Sequence, residues 1–484
     1  MSTPKSSAKP SRIEIPARGL TRRHFIYTTA LAASSLAVSA YAARRVNFKS
    51  PNEKLNVGLI GVTGKGMEDS RGLSGENIVA ICDVDSNNLA NGKSRFAGAK
   101  EYRDYRIMIE KEKEIDAVTV TIPDHQHAPA AMLAMQAGRH VYCQKPLTHT
   151  VSEARALTMA ARKYKVATQM GNQGHSSEDI RRLCEMIWSG VIGNVKEVHC
   201  WTNRPIWPQG RVRPTHTDPV PENLDWDLWI GPAPMRPFAK SFEPQPAPAA
   251  DAGGGGGGGQ RRRGGGGGNR GIYHPFSWRG WWDFGCGALG DMACHVMDGA
   301  NWALALNNPT SVEVVESSAV TADMAPNSSV LKFEFPARGD KPACTLYWHD
   351  GGKKPKKPDN MEGDWGASGT LFMGEKGIIR CDEYCGRPRL LPESSMADYK
   401  RPEPTIARVP GNSPYEDFIR ACKGGPAACS NFEVSGPFTE VILLGNLALR
   451  LGKKIDWDPV NMKCKGLPEA DQYINGHYRK GWSV

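Results

Sequence analysis

The sequence predicts an α/β domain with a parallel sheet followed by an α+β domain, and three observations carry that prediction. From residue 55, short apolar runs alternate with helix-periodic segments; the first run ends in a glycine-rich turn; and after about residue 194, strand-like runs follow one another with few helices between. Alternation of strand and helix implies parallel pairing, because each strand must be re-entered from the same end by a crossover. The 484 residues, 40% hydrophobic and 23% charged, exclude a largely disordered or fibrous chain and leave room for two or three domains.

In the first half, residues 55–62, 78–82, 117–122, 140–143 and 167–170 read as buried strands, with helix-like segments such as 128–137 and 151–164 between them. This domain spans 54–175. The second, 176–484, has strand-like runs at 195–202, 312–316, 330–335, 344–348 and 371–380, and closes with helices at 414–422 and 438–451. It is interrupted at 244–271, where a Pro/Ala-rich stretch leads into seven glycines, Gln260, three arginines and five more glycines. Such a segment buries too little apolar surface to offset its ordering entropy, so a flexible surface insertion is expected.

The formal charge of +10 is concentrated outside the body of the chain. Residues 1–42 contribute five and 251–271 three, which leaves about two for the remainder and argues against nucleic acid as a partner. The N-terminal segment holds Thr21-Arg22-Arg23-His24-Phe25, then a mildly apolar run from Ile26 to Ala42 that ends in the small-x-small pattern Ala40-Tyr41-Ala42. That run is too short and too weakly apolar to span a membrane. Residues 1–42 resemble a twin-arginine signal, which implies the twin-arginine export machinery as a partner, a periplasmic or otherwise exported location, and no membrane span once the signal is removed. The twelve cysteines contain no Cys-x-x-Cys pair and no zinc-finger spacing, so no metal site is expected. Most read as buried thiols, with Cys381/Cys385 and Cys422/Cys429 as disulfide candidates.

The first strand ends in Gly58-Leu59-Ile60-Gly61-Val62-Thr63-Gly64-Lys65-Gly66, and a helix follows. A tight turn there exposes helix N-terminal amides that suit a pyrophosphate. Thr63 stands where the dinucleotide fingerprint has glycine, between Gly61 and Gly66. The second strand ends in Asp83, 22 residues after Gly61, placed to accept hydrogen bonds from ribose hydroxyls and to repel a 2′-phosphate. The expected cofactor is NAD in preference to NADP, held by Gly61, Thr63, Gly64, Gly66 and Asp83.

Pro123-Asp124-His125-Gln126-His127 and Gln144-Lys145-Pro146 follow two further strands, at the sheet edge where open α/β folds bind ligands. A lysine beside a carbinol oxygen stabilises developing alkoxide charge. The His-x-His pair lacks a third ligand nearby, so metal is discounted. In the second half, Trp278–Asp298 is the richest segment. Asp291 and His295 stand four apart on a reading of this stretch as helix, with Asp298 on the same face. A carboxylate beside an imidazole orients it to take a hydroxyl proton, although the same pair also serves as a structural ion pair.

Taken together, the glycine turn, Lys145-Pro146 and Gly287-x-x-x-Asp291-x-x-x-His295 resemble the glucose–fructose oxidoreductase/inositol dehydrogenase/MocA family, over nearly all of 54–484. The resemblance implies a Rossmann domain, a substrate-binding α+β domain with an open, mostly antiparallel sheet, and NAD(P)-dependent chemistry on a secondary hydroxyl of a sugar, polyol or glycoside. It makes Lys145, Asp291 and His295 the catalytic set and adds Pro123, Asp124, His127 and Lys145 to the cofactor site. Gln144 replaces the family's glutamate before that lysine. The resemblance also implies self-association through the open sheet. Trp278, Arg279, Asp283 and His175 are substrate-site candidates, as aromatic walls and hydroxyl partners; Trp226-Asp227-Leu228-Trp229-Ile230-Gly231-Pro232 belongs with the same pattern. An exported enzyme without a soluble NAD pool must keep its cofactor tightly bound and restore it on each turnover. Either paired oxidation and reduction or a redox-neutral glycosidase cycle does this; a non-catalytic sugar-binding relative is the third alternative.

Overall fold

The computed structural model describes residues 48–244 and 271–484; the paired-arginine segment 1–42 and almost all of the insertion at 244–271 lie outside the described residues. The first sheet has six parallel strands, β1 Asn56–Ile60, β2 Asn77–Cys82, β3 Lys100–Tyr102, β4 Ala117–Val120, β5 His140–Cys143 and β6 Thr168–Met170, in the order β3-β2-β1-β4-β5-β6. The order reverses between β1 and β4, which opens a crevice at their carboxyl ends. Strands β4 and β5 are buried along their whole length, as expected with helices on both faces. β3 was not anticipated: its Lys-Glu-Tyr sequence lies at the sheet edge and carries no apolar run to read. Helix Val151–Tyr164 starts on a capping box, in which Thr150 and Glu153 satisfy each other's backbone amides.

The second sheet has nine strands: β7 Val195–Thr202, β8 Ser311–Ser317, β9 Ser329–Phe335, β10 Cys344–His349, β11 Ser368–Gly374, β12 Ile378–Cys381, β13 Arg389–Leu391, β14 Ile455–Asp458 and β15 Lys463–Cys464. Their order is β13-β12-β11-β7-β10-β9-β8-β14-β15, antiparallel throughout except for the parallel pair β7–β10. The expected strand 371–380 is a hairpin, β11 and β12, closed by a bond from the Gly374 amide to the Gly377 carbonyl.

The closing helix runs Phe432–Leu451, six residues longer at its start than the apolar run suggested. Pro437 lies inside it, near enough to the start to forfeit a single backbone bond, and the Asn431 side chain caps the first turn. This helix packs on Val151–Tyr164, on Gly287–Val296 and on β8, and so joins the two sheets. Helix Pro414–Cys422 returns to the first sheet, where Phe418 and Cys422 pack with Leu55, Val57, Leu59 and Tyr142. The nucleotide-binding half is thus completed by residues far beyond position 175.

A separate aromatic cluster gathers Trp226, Trp229, Phe238, Tyr273, Trp281 and Phe284. All twelve cysteines are free thiols, so neither candidate disulfide forms. Cys385 instead contacts the His295 carbonyl, and Cys422 is sealed in the first-sheet core while Cys429 contacts Ser176. No described helix is long and apolar enough to cross a membrane.

Candidate active site

A cleft of about 700 Å³ runs along the carboxyl edge of the first sheet, from Asp83 and Asn88 at one end to Lys145, Asp291 and His295 at the other. A larger groove of about 1040 Å³ lies beside helix Glu178–Trp188. There Arg408 is already paired with Glu178 and Glu185, and Arg389 with Glu393, so the chemistry is placed in the smaller cleft.

At the first end the turn after β1 is shaped by contact. Gly61 has φ +86°, and a Cβ on it would stand 2.1 Å from the Thr121 carbonyl oxygen; one on Gly66 would stand 2.2 Å from the Gly61 oxygen. Gly64, by contrast, has open space in front of it, and the helix Lys65–Gly72 that it introduces has no side-chain cap. Uncapped amides at a helix start facing an open cleft fit a phosphate. Thr63 lines the same cleft. Asp83 accepts from the amides of Val62 (3.3 Å) and Asp85 (3.0 Å) and from Asn88 Nδ2 (3.3 Å). Burial pushes its carboxyl above the ordinary range even though those donors and the His274 charge pull it down. Arg103, the nearby cation, donates to the Val84 and Asn223 carbonyls, which fits a ribose with free hydroxyls better than a 2′-phosphate. These residues fit NAD.

At the other end, Lys145 Nζ donates to Asp291 Oδ1 and to the Asp291 carbonyl, both at 2.8 Å, and Arg279 Nε donates to the same Oδ1 at 3.1 Å. Burial raises the Asp291 carboxyl, but the two cations reverse that and hold it well below the usual carboxylate range. His295 lies one helical turn on, with its ring edge-on to Tyr384 at 4.9 Å and its Nδ1 buried without a partner among the described residues. Burial, with the Lys145 charge, lowers it to about 3, so the imidazole is neutral and able to accept a proton. Asp124 lines the cleft too. Its Oδ2 accepts from the Cys286 amide at 3.1 Å, and burial lifts it to about 7 despite the Arg279 and Lys145 charges.

Several expectations need correction. Asp291 makes no hydrogen bond to His295; its carboxylate is committed to Lys145 and Arg279. Asp298 does not continue that face, because the helix ends at Val296 and a second one starts at Asp298. Asp298 instead accepts from His175 Nδ1 at 2.8 Å, and His175, 3% exposed and stacked on Trp302, is a structural group away from the cleft wall. Asp283 pairs with the buried Arg236 and does not line the cleft. Of the proposed aromatic wall, Trp278 and Arg279 line the cleft, whereas Trp226 and Trp281 turn into the aromatic cluster. His127 Nδ1 and Nε2 lie 2.8 and 2.7 Å from the Pro146 and Ile122 carbonyls, tying together the loops after β5 and β4.

Gln144 faces away from Lys145. Its Nε2 donates to both oxygens of Asp69 at 3.0 and 2.9 Å, and Asp69 also accepts from Lys65, Thr121 and Tyr415. A glutamate here would set a second carboxylate against a buried one, so the amide suits its surroundings, and Asp291 supplies the anion beside Lys145. Sequence reasoning missed Asp69, Tyr415, Arg204, Trp207 and Tyr384; these sit at ordinary positions in sequence and acquire meaning only where the chain folds back.

A six-stranded parallel sheet with a glycine turn at its switch point is a Rossmann-type nucleotide-binding fold, and loops and a helix of the second half, among them Arg279, Asp291 and His295, line the other side of its cleft. Residues 55–172 match the family GFO_IDH_MocA, described as an oxidoreductase family with an NAD-binding Rossmann fold. It is 30% identical over 151 residues to inositol 2-dehydrogenase of Salmonella typhimurium, which covers 30% of this chain and 45% of that protein. It is 31% identical over 123 residues to D-apiose dehydrogenase of Paraburkholderia graminis, covering 25% and 32%. The matches therefore span less than half the length of these relatives. The whole fold is similar to the WlbA dehydrogenase from Bordetella pertussis in complex with NADH and UDP-GlcNAcA (TM-score 0.55, 16% identity, 84% of this chain and 99% of that one). It is likewise similar to a levoglucosan dehydrogenase in complex with NADH and levoglucosan (TM-score 0.52, 17% identity, 84% and 99%).

Proposed function

We propose that this protein is an NAD-dependent oxidoreductase that removes hydride from a secondary hydroxyl carbon of a sugar, polyol or glycoside, keeps its cofactor bound between turnovers, and has the bound NADH reoxidised in place by a second, carbonyl-bearing sugar. The observation that carries the reading is the convergence of Lys145, Asp291 and His295 in the same cleft whose far end holds the glycine turn and Asp83. The relatives named above as dehydrogenases of inositol and D-apiose support the substrate class. Bound NAD+ would supply the hydride acceptor. In this chain Lys145 would hold the hydroxyl oxygen and stabilise its developing negative charge, and neutral His295 would take the hydroxyl proton. Asp291 would keep the lysine in place by the two 2.8 Å bonds it receives. Trp278 would exclude water from one wall.

Asp124 favours one second reading. A carboxyl that titrates at about 7 in the same cleft is a second proton carrier, which a redox-neutral glycosidase cycle of oxidation, elimination and return of hydride would use. Export by the twin-arginine route, on residues 1–42, and self-association through the nine-stranded sheet belong to the same proposal. The test is to denature purified protein and identify released nucleotide by mass spectrometry, then to screen sugars without added cofactor. Near-stoichiometric NAD supports the proposal, and a ketone or lactone product separates the oxidoreductase from the glycosidase, which yields net cleavage. No released nucleotide together with no NAD binding would overturn it.

A further inference from the structure

Apart from Trp278, the aromatic cluster takes no part in the chemistry above, yet the segments rooted in it end against the adenosine end of the cleft. Residues 223–225 run alongside residues 84–86. The Ser86 amide donates to the Asn223 carbonyl at 2.8 Å, and the Asp225 amide to the Val84 carbonyl at 3.0 Å. Asp85 and Leu224 form an isolated antiparallel bridge. Arg103 Nη2 reaches both the Val84 and Asn223 carbonyls, at 2.8 and 3.3 Å. From a second direction, His274 Nε2 lies 3.2 Å from Asp85 Oδ2, and His274, Pro275 and Phe276 line the cleft together with Asp83 and Asn88. The loop that carries Asp83 is therefore tied from two sides by segments more than a hundred residues later in the chain.

Those segments are rooted in the aromatic cluster. Tyr273, just before the cleft-lining residues, is 1% exposed, and its carbonyl accepts from the Trp278 amide at 2.8 Å. The Ile272 carbonyl accepts from Trp281 Nε1 at 2.7 Å. Trp226 stacks on Trp229 at 4.9 Å, and the guanidinium of Arg236 lies 4.6 Å from the Phe284 ring while pairing with Asp283. A turn held at its base by so many buried rings is preorganised. In an open α/β sheet this end of the crevice is a rim facing solvent; here it has a second wall built by the other half of the chain.

Resting on the proposed retention of NAD, we infer that residues 221–226 and 271–278 form a strap over the adenosine end of the cleft, that His274, Pro275 and Phe276 are its working surface, and that the strap sets how slowly the dinucleotide leaves. The buried part of the aromatic cluster, Trp226, Tyr273, Trp281 and Phe284, is the anchor of this strap. Opening it requires the His274–Phe276 turn to lift, which breaks the contact to Asp85, while the root at Ile272–Tyr273 stays buried.

The test measures exchange, not catalysis. Purified holoprotein is challenged with excess isotopically labelled NAD, and the bound nucleotide is followed by mass spectrometry after denaturation. A variant with His274→Ala and Phe276→Ala is expected to exchange about tenfold faster or more, the scale of losing one hydrogen bond and one ring contact. Asp85→Asn is the second variant: its amide oxygen can still cap the following helix, as Asp85 does toward the Asn87 amide at 2.9 Å, but it lacks the charge facing His274. It should exchange faster by a smaller factor. If both variants carry NAD and exchange it at the unaltered rate, the strap is overturned while the proposed function stands. If the unaltered protein neither carries nor binds NAD, both fall.

Discussion

The two ends of the cleft are built in opposite ways. The nucleotide end is mostly backbone: a glycine turn, an uncapped helix start and one carboxylate, all within residues 58–88. The proposed reacting end is mostly side chain, and Lys145, Arg204, Arg279, Asp291, His295 and Tyr384 reach it from five separate segments. A backbone cradle tolerates substitution only where nothing is packed behind it. A side-chain constellation tolerates substitution of its supports but not of the groups that carry charge or protons.

The largest expected effect tests the second half of that contrast. Lys145→Ala or His295→Ala in cofactor-loaded protein should lower turnover by about 10²–10⁴-fold with the fold retained, measured as kcat on whichever sugar proves active. Turnover near that of the unaltered protein in either variant would remove these two residues from the mechanism. Gly61→Ala tests the first half: with a Cβ 2.1 Å from the Thr121 oxygen and φ at +86°, it should cost about 3 kcal/mol or more in urea unfolding. Gly64→Ala has open space in front of it; its cost should be confined to the strain of φ +54°, ψ −117°, a conformation that glycine alone adopts freely, about 1–3 kcal/mol, and to nucleotide affinity. Equal losses at the two glycines would break the comparison.

A pH series sharpens it further. Burial holds His125 and His295 at about 3, and His127, His140, His149 and His349 at about 4. Unfolded histidines titrate near 6.5, so as pH falls from 7 to 5 the unfolded chain gains protons that the folded one refuses. Stability should drop over that window by on the order of 1–2 kcal/mol per histidine, read from urea midpoints at the two pH values. Asp124, held at about 7, works the other way, because the folded form keeps a proton that the unfolded form gives up, and it reduces the loss. The smallest functional effect is expected at His175. Its bond to Asp298 is buried, so His175→Asn should lower Tm but leave kcat/KM within about threefold, since no lost contact touches the cleft. A large fall in kcat/KM would return it to the substrate site.

How much of this was legible beforehand follows the same division. The glycine turn and Asp83 were readable because both belong to one βαβ unit and their spacing is set by the length of one helix and two strands. The structure brings Lys145 and His295, which the motifs singled out, to one end of the cleft. Their partners were not legible: the i, i+4 spacing suggested that Asp291 serves His295, whereas Lys145, 146 residues away, and Arg279 claim that carboxylate. Gln144, which stands where the family has glutamate, is the complement of Asp69, a residue that no motif marked.

The sequence by itself determined the class of fold, the order of the two domains and the nucleotide turn, because apolar periodicity and local turn chemistry act over a few residues. Only the tertiary structure decided that His175 and Asp283 pair with Asp298 and Arg236 away from the cleft, that tryptophans 226 and 281 bury in one cluster, and that residues 414–422 complete the packing of the first sheet. The physical reason is that an ion pair or a ring stack is worth forming only where the chain has already brought its partners together, and sequence separation carries no record of that.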